Sequence, residues 1–292
     1  MFGKLHFGNY PKGVDDFLIL PGQGHYINPI FIGKEKDTVI TGYVTDIITD
    51  LGGSSGSDTD ILVVSSGATV NATGIKGFTA DSGTKNLGGT ANLTSDGSGR
   101  TINMSGANTG AFNLIGGSGQ NTLRGGTGDD SLKGGGDIDT LKGEGGDDII
   151  QGEAGADIMT GGSGADTFKV DSGSDIIVDL GGASGGDSDI LIVSGSATAT
   201  ASNIVSFTAN GSTRNDGTAN LTAKASTNAT INVASSAAGL YTITGNTGDD
   251  SLTGGSGNDI INGANGADII SGCLLYTSPS PRDLSTSRMP SS

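Results

Sequence analysis

Every ninth residue in two stretches of this sequence is an aspartate or its amide, set between a glycine-rich run and an apolar residue. From Gly116 to Lys169 the units read GGSGQNTLR, GGTGDDSLK, GGGDIDTLK, GEGGDDIIQ, GEAGADIMT and GGSGADTFK. From Gly245 to Ser271 they read GNTGDDSLT, GGSGNDIIN and GANGADIIS. Position six is Asn121, then Asp130, Asp139, Asp148, Asp157 and Asp166, and in the second stretch Asp250, Asp259 and Asp268; Asp175 continues the spacing by one step. Position eight is apolar in every unit, from Leu123 to Ile270. Six glycine-rich residues make a turn, because glycine takes positive φ at little cost. The next three make a minimal strand with position eight facing inward. Two units form one coil, and such coils stack as parallel strands about 4.8 Å apart. Stacking should pair Asp130 with Asp148, Asp148 with Asp166, Asp139 with Asp157, Asp157 with Asp175 and Asp250 with Asp268. Asn121 with Asp139 is a weaker pair, lacking one charge. Crowded carboxylates without basic partners repel one another. A hard dication with six to eight oxygen ligands at about 2.3–2.6 Å removes that repulsion and satisfies the turn carbonyls. Calcium is the ion this pattern calls for.

The GGxGxD-plus-apolar unit resembles the repeats-in-toxin (RTX) calcium-binding family over 116–169 and 245–271. The resemblance implies that turn glycines such as Gly126, Gly128, Gly162 and Gly164 lend carbonyl oxygens to the ion. It also implies a secreted, extracellular protein, exported through a type I system that reads an uncleaved C-terminal signal. Some units depart from the pattern: Asp137 replaces a fourth-position glycine, and Glu144 and Glu153 replace second-position ones. Those turns are expected to be strained, or to carry altered ligand sets. Asp129, Asp147 and Asp249, at position five, read as solvated turn residues. Asp58, Asp60, Asp187 and Asp189 form an Asp-x-Asp pair in each intervening segment, where local turn chemistry is the usual role and a further calcium site the alternative. Asp96, in the turn SDGSGR, reads as a solvated carboxylate.

The elements that hold these turns are themselves repeated. DIITDLGGSSGSDTDILVVSSGAT (46–69) returns as DIIVDLGGASGGDSDILIVSGSAT (175–198). This sets a long period of about 129 residues over the short one, the mark of a tandem array. Val, Ile and Thr alternate in these segments around Gly and Asn turns, so they should be short strands. The expected class is all-β: parallel β-roll or β-helix blocks alternating with β-rich spacers. The expected parts are a leader without assignment (1–33), a spacer (34–115), a calcium-binding block (116–174), a second spacer (175–244) and a second block (245–272). Residues 273–292, beginning CLLYTSPSPRD, read as a translated sequencing adapter; the alternative is a genuine Ser/Pro-rich tail. On that reading the second block is truncated and the tail adds nothing to the fold.

Composition narrows the function. The 292 residues include 54 glycines and no tryptophan, too few large apolar side chains for a thick core. A net charge of −16 argues against nucleic acid, whose phosphates need clustered Lys and Arg. No apolar run approaches the roughly 18 residues of a membrane span. His6 and His25 are the sole histidines, and no metalloprotease helix or nucleophile elbow is present. The expectation is a non-enzymatic, calcium-folding structural region of a bacterial surface or adhesive protein, with any cell-surface or self-association partner unspecified. The alternative is the export module of a type I-secreted hydrolase or toxin whose catalytic domain lies elsewhere.

Overall fold

The computed structural model describes residues 38–40, 45–48, 51–52, 60–107, 109–182, 186–237 and 239–272. The leader 1–33, Asp58 and the segment 273–292 lie outside them. The described residues form a parallel β-solenoid with no helix among them, and every named strand pair is parallel.

Alternation in the sequence becomes alternation in burial. Strands such as Thr140–Gly145 and Ile190–Val193 run intermediate, buried, intermediate, buried. Each nonapeptide of the first block contributes one fully buried large side chain. Leu123, Leu141 and Met159 stack in register on one sheet, and Leu132, Ile150 and Phe168 on the sheet opposite. The register thus advances two nonapeptides per coil, as the sequence spacing requires. Block strands such as Thr122–Gly126 and Ser131–Gly135 also run on into the following glycine pair.

The spacers stack in the same solenoid with a different cross-section. Their coils have three sides instead of two and are longer. Val70 pairs with Ala91 and Phe78 with Ile102, where a block coil would already have closed. Four sheets result. The first contains Thr38–Ile40, Ile61–Val64 and Lys85–Asn86. The second runs from Thr45–Ile48 to Arg214–Asn215, and the third from Phe78–Thr79 to Ile260–Asn262. The fourth contains Ser206–Thr208, Thr230–Asn232, Ser251–Thr253 and Ile269–Ser271.

The long repeat does not return the chain to the same sheets. Ile61–Val64, Thr69–Ile75 and Phe78–Thr79 occupy sheets one, two and three. Their counterparts Ile190–Val193, Thr198–Ile204 and Ser206–Thr208 occupy sheets two, three and four. Each spacer therefore drops one side and opens another. The first block sits between sheets two and three, and the second between sheets three and four.

Candidate metal centre

In the turns between strands, each position-six aspartate sits at the floor, with its carboxylate toward the coil before it. The N–H of Asp130 donates to Oδ1 of Asp148 at 2.7 Å, that of Asp148 to Asp166 at 2.9 Å, and that of Asp166 to Asp189 at 2.9 Å. On the other flank Asn121 donates to Asp139 at 2.6 Å, Asp139 to Asp157 at 2.8 Å and Asp157 to Asp175 at 3.0 Å. In the second block Asp250 donates to Asp268 at 2.9 Å, and Tyr241 to Asp259 at 3.0 Å. The pairs expected from stacking every second unit are thus brought together, but through backbone N–H to carboxylate bonds. A turn N–H there has no strand partner, and the carboxylate supplies one.

The second oxygen of these carboxylates is the anomaly. Oδ2 of Asp130, Asp139, Asp148, Asp157 and Asp175 is buried without a hydrogen-bond partner. All five residues are at most 2 % exposed. Burial drives Asp130, Asp148, Asp166 and Asp175 up to about 7 and Asp139 to about 6, against the backbone bonds that lower them. A buried carboxylate oxygen left alone is costly. Oxygens converge where these orphans point. A Cβ placed on Gly125 would lie 2.3 Å from Asp130 Oδ2 and 2.6 Å from the carbonyl oxygen of Gly143. At Gly143 the same point lies 2.0 Å from Asp148 Oδ2 and 2.6 Å from Gly161 O, and at Gly134 it lies 2.3 Å from Asp139 Oδ2 and 2.8 Å from Gly152 O. Glycine at position one keeps this cradle open.

Among the described residues no three His, Cys, Asp or Glu side chains converge as a metal-binding group. What meets at each of these cradles is a carboxylate Oδ2 and a turn carbonyl, an all-oxygen pair of the kind that suits calcium. Of the glycines singled out for carbonyls, Gly128 and Gly164 stack with Gly146 along one flank. The Gly128 oxygen lies 2.5 Å from a Cβ on Gly146, and the Gly146 oxygen 2.1 Å from one on Gly164. Gly126 faces the Met104 carbonyl, and Gly162 has φ +113° with its N–H held by Asp179 Oδ2 at 2.9 Å.

The departures from the pattern resolve individually. Asp137, Glu144 and Glu153 all have positive φ, at 65°, 81° and 70°, the strain expected where glycine is replaced. The Glu side chains pair with Arg124 and Lys133, away from the cradles. Asn121 accepts the Arg100 N–H at Oδ1 (2.8 Å), while its Nδ2 donates to Gly119 O and lies 2.6 Å from a Cβ on Gly116. That is the place Oδ2 takes in the aspartate units. Position five forms an exposed outer ladder: Asp147 N–H donates to Asp129, and Ala165 N–H to Asp147. Asp249 likewise accepts from Ala267. In the second block Oδ2 of Asp250 and Asp259 folds onto the position-two N–H of Asn246 and Gly255, both at 2.7 Å.

Three acids hold more of the structure than their sequence context suggests. Asp189 combines local turn chemistry with ladder membership, because its Oδ2 accepts Gly181 N–H at 2.7 Å while its Oδ1 accepts from Asp166. Asp60 makes the matching turn contact with Gly52 at 2.7 Å. Asp179 caps the Gly161–Gly162 turn through both oxygens, each at 2.9 Å. Asp187 lies beside Gly182, half-buried. Asp96 is exposed but not simply solvated as expected: it holds Arg100 in an ion pair at 2.6 Å, and that bond lowers its pKa to about 2.

Comparison with known proteins agrees with this geometry. The family model of the RTX calcium-binding nonapeptide repeat matches at residues 115–141, 133–168, 142–177 and 242–272. One curated relative, an N-acetylglucosamine-6-O-sulfatase of Bacteroides thetaiotaomicron, is 47 % identical over 53 residues, covering 17 % of this chain. The match spans 10 % of that relative's length. No solved structure matches. The repeats of this chain, at 115–177 and 242–272, are RTX calcium-binding nonapeptide repeats stacked as a parallel β-roll.

Proposed function

We propose that this chain is a calcium-folding, non-catalytic structural region of a secreted bacterial surface or adhesive protein. Asp130, Asp139, Asp148, Asp157, Asp166 and Asp175 would hold calcium in the first block, and Asp250, Asp259 and Asp268 in the second. The observation that carries the reading is the row of buried, unpartnered Oδ2 atoms that recurs along both flanks of the first block beside open glycine turns. A surface role is favoured because the block recurs between long spacers, whereas an export module needs no such array. Extracellular placement fits a site built largely from neutral carbonyls, for which affinity on the order of 10⁻⁴–10⁻³ M is usual.

Calcium titration followed by circular dichroism tests this, with magnesium as the control. Magnesium demands near-octahedral ligands at about 2.0–2.1 Å and sheds water reluctantly, so it should induce far less β signal. Equal responses to both ions would sink the calcium assignment. A catalytic domain encoded beside these repeats would favour the export-module reading.

A further inference from the structure

Among the described residues, unpartnered buried carboxylate oxygens are confined to the blocks and their edges. In the described parts of the spacers the buried side-chain atoms without a partner are Asp175 Oδ2, where the first block meets the second spacer, and the Thr213 hydroxyl. The buried amides of the spacers sit instead in strands, Asn86 beside Val64 and Asn215 beside Val193, and their polar groups are satisfied. Asn86 donates from Nδ2 to Gly89 O and Ala111 O, and accepts Gly89 N–H at 2.8 Å. Asn215 donates to Leu240 O at 2.8 Å and accepts from Gly217. The change from one regime to the other falls at single residues. Asn121 opens one flank of the first block with a donor in the Oδ2 place. Asp189 closes the other flank with its Oδ2 already taken by Gly181 N–H.

We propose that the spacers fold without calcium and serve as templates for the blocks, with Asn121 and Asp189 as the ion-free rungs where calcium demand begins and ends. This rests on the calcium reading above and adds an order of events to it. A parallel coil forms slowly in isolation, because its pairings are non-local and loop closure precedes any contact. A preformed spacer edge removes that barrier. The strand Asn113–Gly117 already pairs with Thr90–Ser95 on one side and Ser131–Gly135 on the other. Calcium then adds block coils onto an existing edge, because binding free energy at a site not preformed becomes folding free energy.

Hydrogen exchange on the full chain without calcium reads this directly. Amides of 61–103 and 190–233 should exchange on the order of 100-fold more slowly than those of 122–177, as separate cooperative units do. Adding calcium should bring 122–177 to the protection of the spacers. Uniform fast exchange without calcium, or uniform protection, would overturn the proposal while leaving calcium binding itself intact. A chain that binds no calcium at all would instead defeat the underlying functional reading. Asn121→Asp is the second arm. It replaces a donor by an orphan oxygen, so calorimetric stoichiometry should rise by one calcium and protection near 122–126 without calcium should fall. Unchanged stoichiometry and unchanged protection would show that Asn121 is not a boundary.

Discussion

A spacer coil and a block coil occupy the same solenoid but are held by different forces. Between residues 61 and 80 the spacer buries Leu62, Val64, Ala68, Val70, Ala72, Ile75, Phe78 and Ala80. A block coil of two nonapeptides, such as 117–134, buries Leu123 and Leu132 alone among apolar side chains. Fully burying a large aliphatic side chain contributes about 1.5–3 kcal/mol, while ordering each residue's backbone costs about 1–2 kcal/mol. Apolar burial therefore holds up the spacer far better than the block. The block has traded core for turns of glycine and buried carboxylate, which an ion can bridge. The third side is where the spacer finds room for its core.

The largest break in this comparison should come from a glycine. Gly143→Ala would place a methyl 2.0 Å from Asp148 Oδ2 and 2.6 Å from Gly161 O, filling the cradle itself. We expect a loss of about 3 kcal/mol or more in calcium-saturated stability. Gly67→Ala in a spacer turn meets nothing within 4 Å, though φ is +75°. Strain alone should cost about 1 kcal/mol there. Denaturant midpoints of the two variants in saturating calcium decide the matter, and equal losses would mean the cradles are not special.

Next in size is the ladder. Asp148 accepts from Asp130 and donates to Asp166, so Asp148→Ala disturbs two stacked turns. Its calcium midpoint should rise about tenfold, equivalent to about 1.4 kcal/mol. Asp148→Asn keeps an Oδ1 acceptor and puts a donor in the Oδ2 place, as Asn121 does. It should raise the calcium midpoint similarly yet leave the calcium-free chain more structured than the parent. Asp96→Ala removes an exposed ion pair with Arg100 and should leave the midpoint unchanged. A shift for Asp96→Ala as large as that for Asp148→Ala would erase the distinction between block and spacer.

The period of nine makes the fold class and the inner ladder legible, because a near-constant position six and an apolar position eight leave one way to stack. Hydrophobic alternation does not reveal the third side. It tells which residues face inward, but not which sheet a strand joins, so the advance of one sheet per long repeat stays hidden. Asp189 is hidden for a related reason: it continues the ladder from Asp166 off the nine-residue spacing, because a longer turn intervenes where the block meets the spacer. Asp179 lies off the nine-residue spacing, and its role depends on the stacked Gly161–Gly162 turn whose N–H groups it accepts.

Proton binding gives a third, smaller contrast. In the folded block burial raises Asp130, Asp148, Asp166 and Asp175 from 3.8 to about 7. The folded block thus holds more protons than the unfolded chain between about pH 4 and 7. Its stabilisation by protons is complete below the unfolded pKa and is lost as pH rises through about 7. Without calcium the block should be more ordered at pH 5 than at pH 8. With calcium the trend should reverse, because the ion needs ionised ligands. Circular dichroism across this range would refute the buried-orphan account if the calcium-free signal were flat.

The smallest expected effect separates the two carboxylate ladders of one turn. Asp147 and Asp148 are neighbours, and each donates its backbone N–H to one adjacent coil and accepts one from the coil on the other side. Asp147 is exposed while Asp148 is 1 % exposed. Water can replace the bond that Ala165 N–H makes to Asp147, so nothing is left buried and alone when it goes. Asp147→Ala should therefore cost within about 0.5 kcal/mol and leave calcium stoichiometry unchanged. Charge supports the same direction, since removing one of several crowded acids lowers repulsion in the calcium-free state. Parallel titrations of Asp147→Ala and Asp148→Ala need no structural assumption to compare. If the outer substitution raised the calcium midpoint as much as the inner one, position five would belong to the ion's ligand set, and burial would not be what selects the ligands.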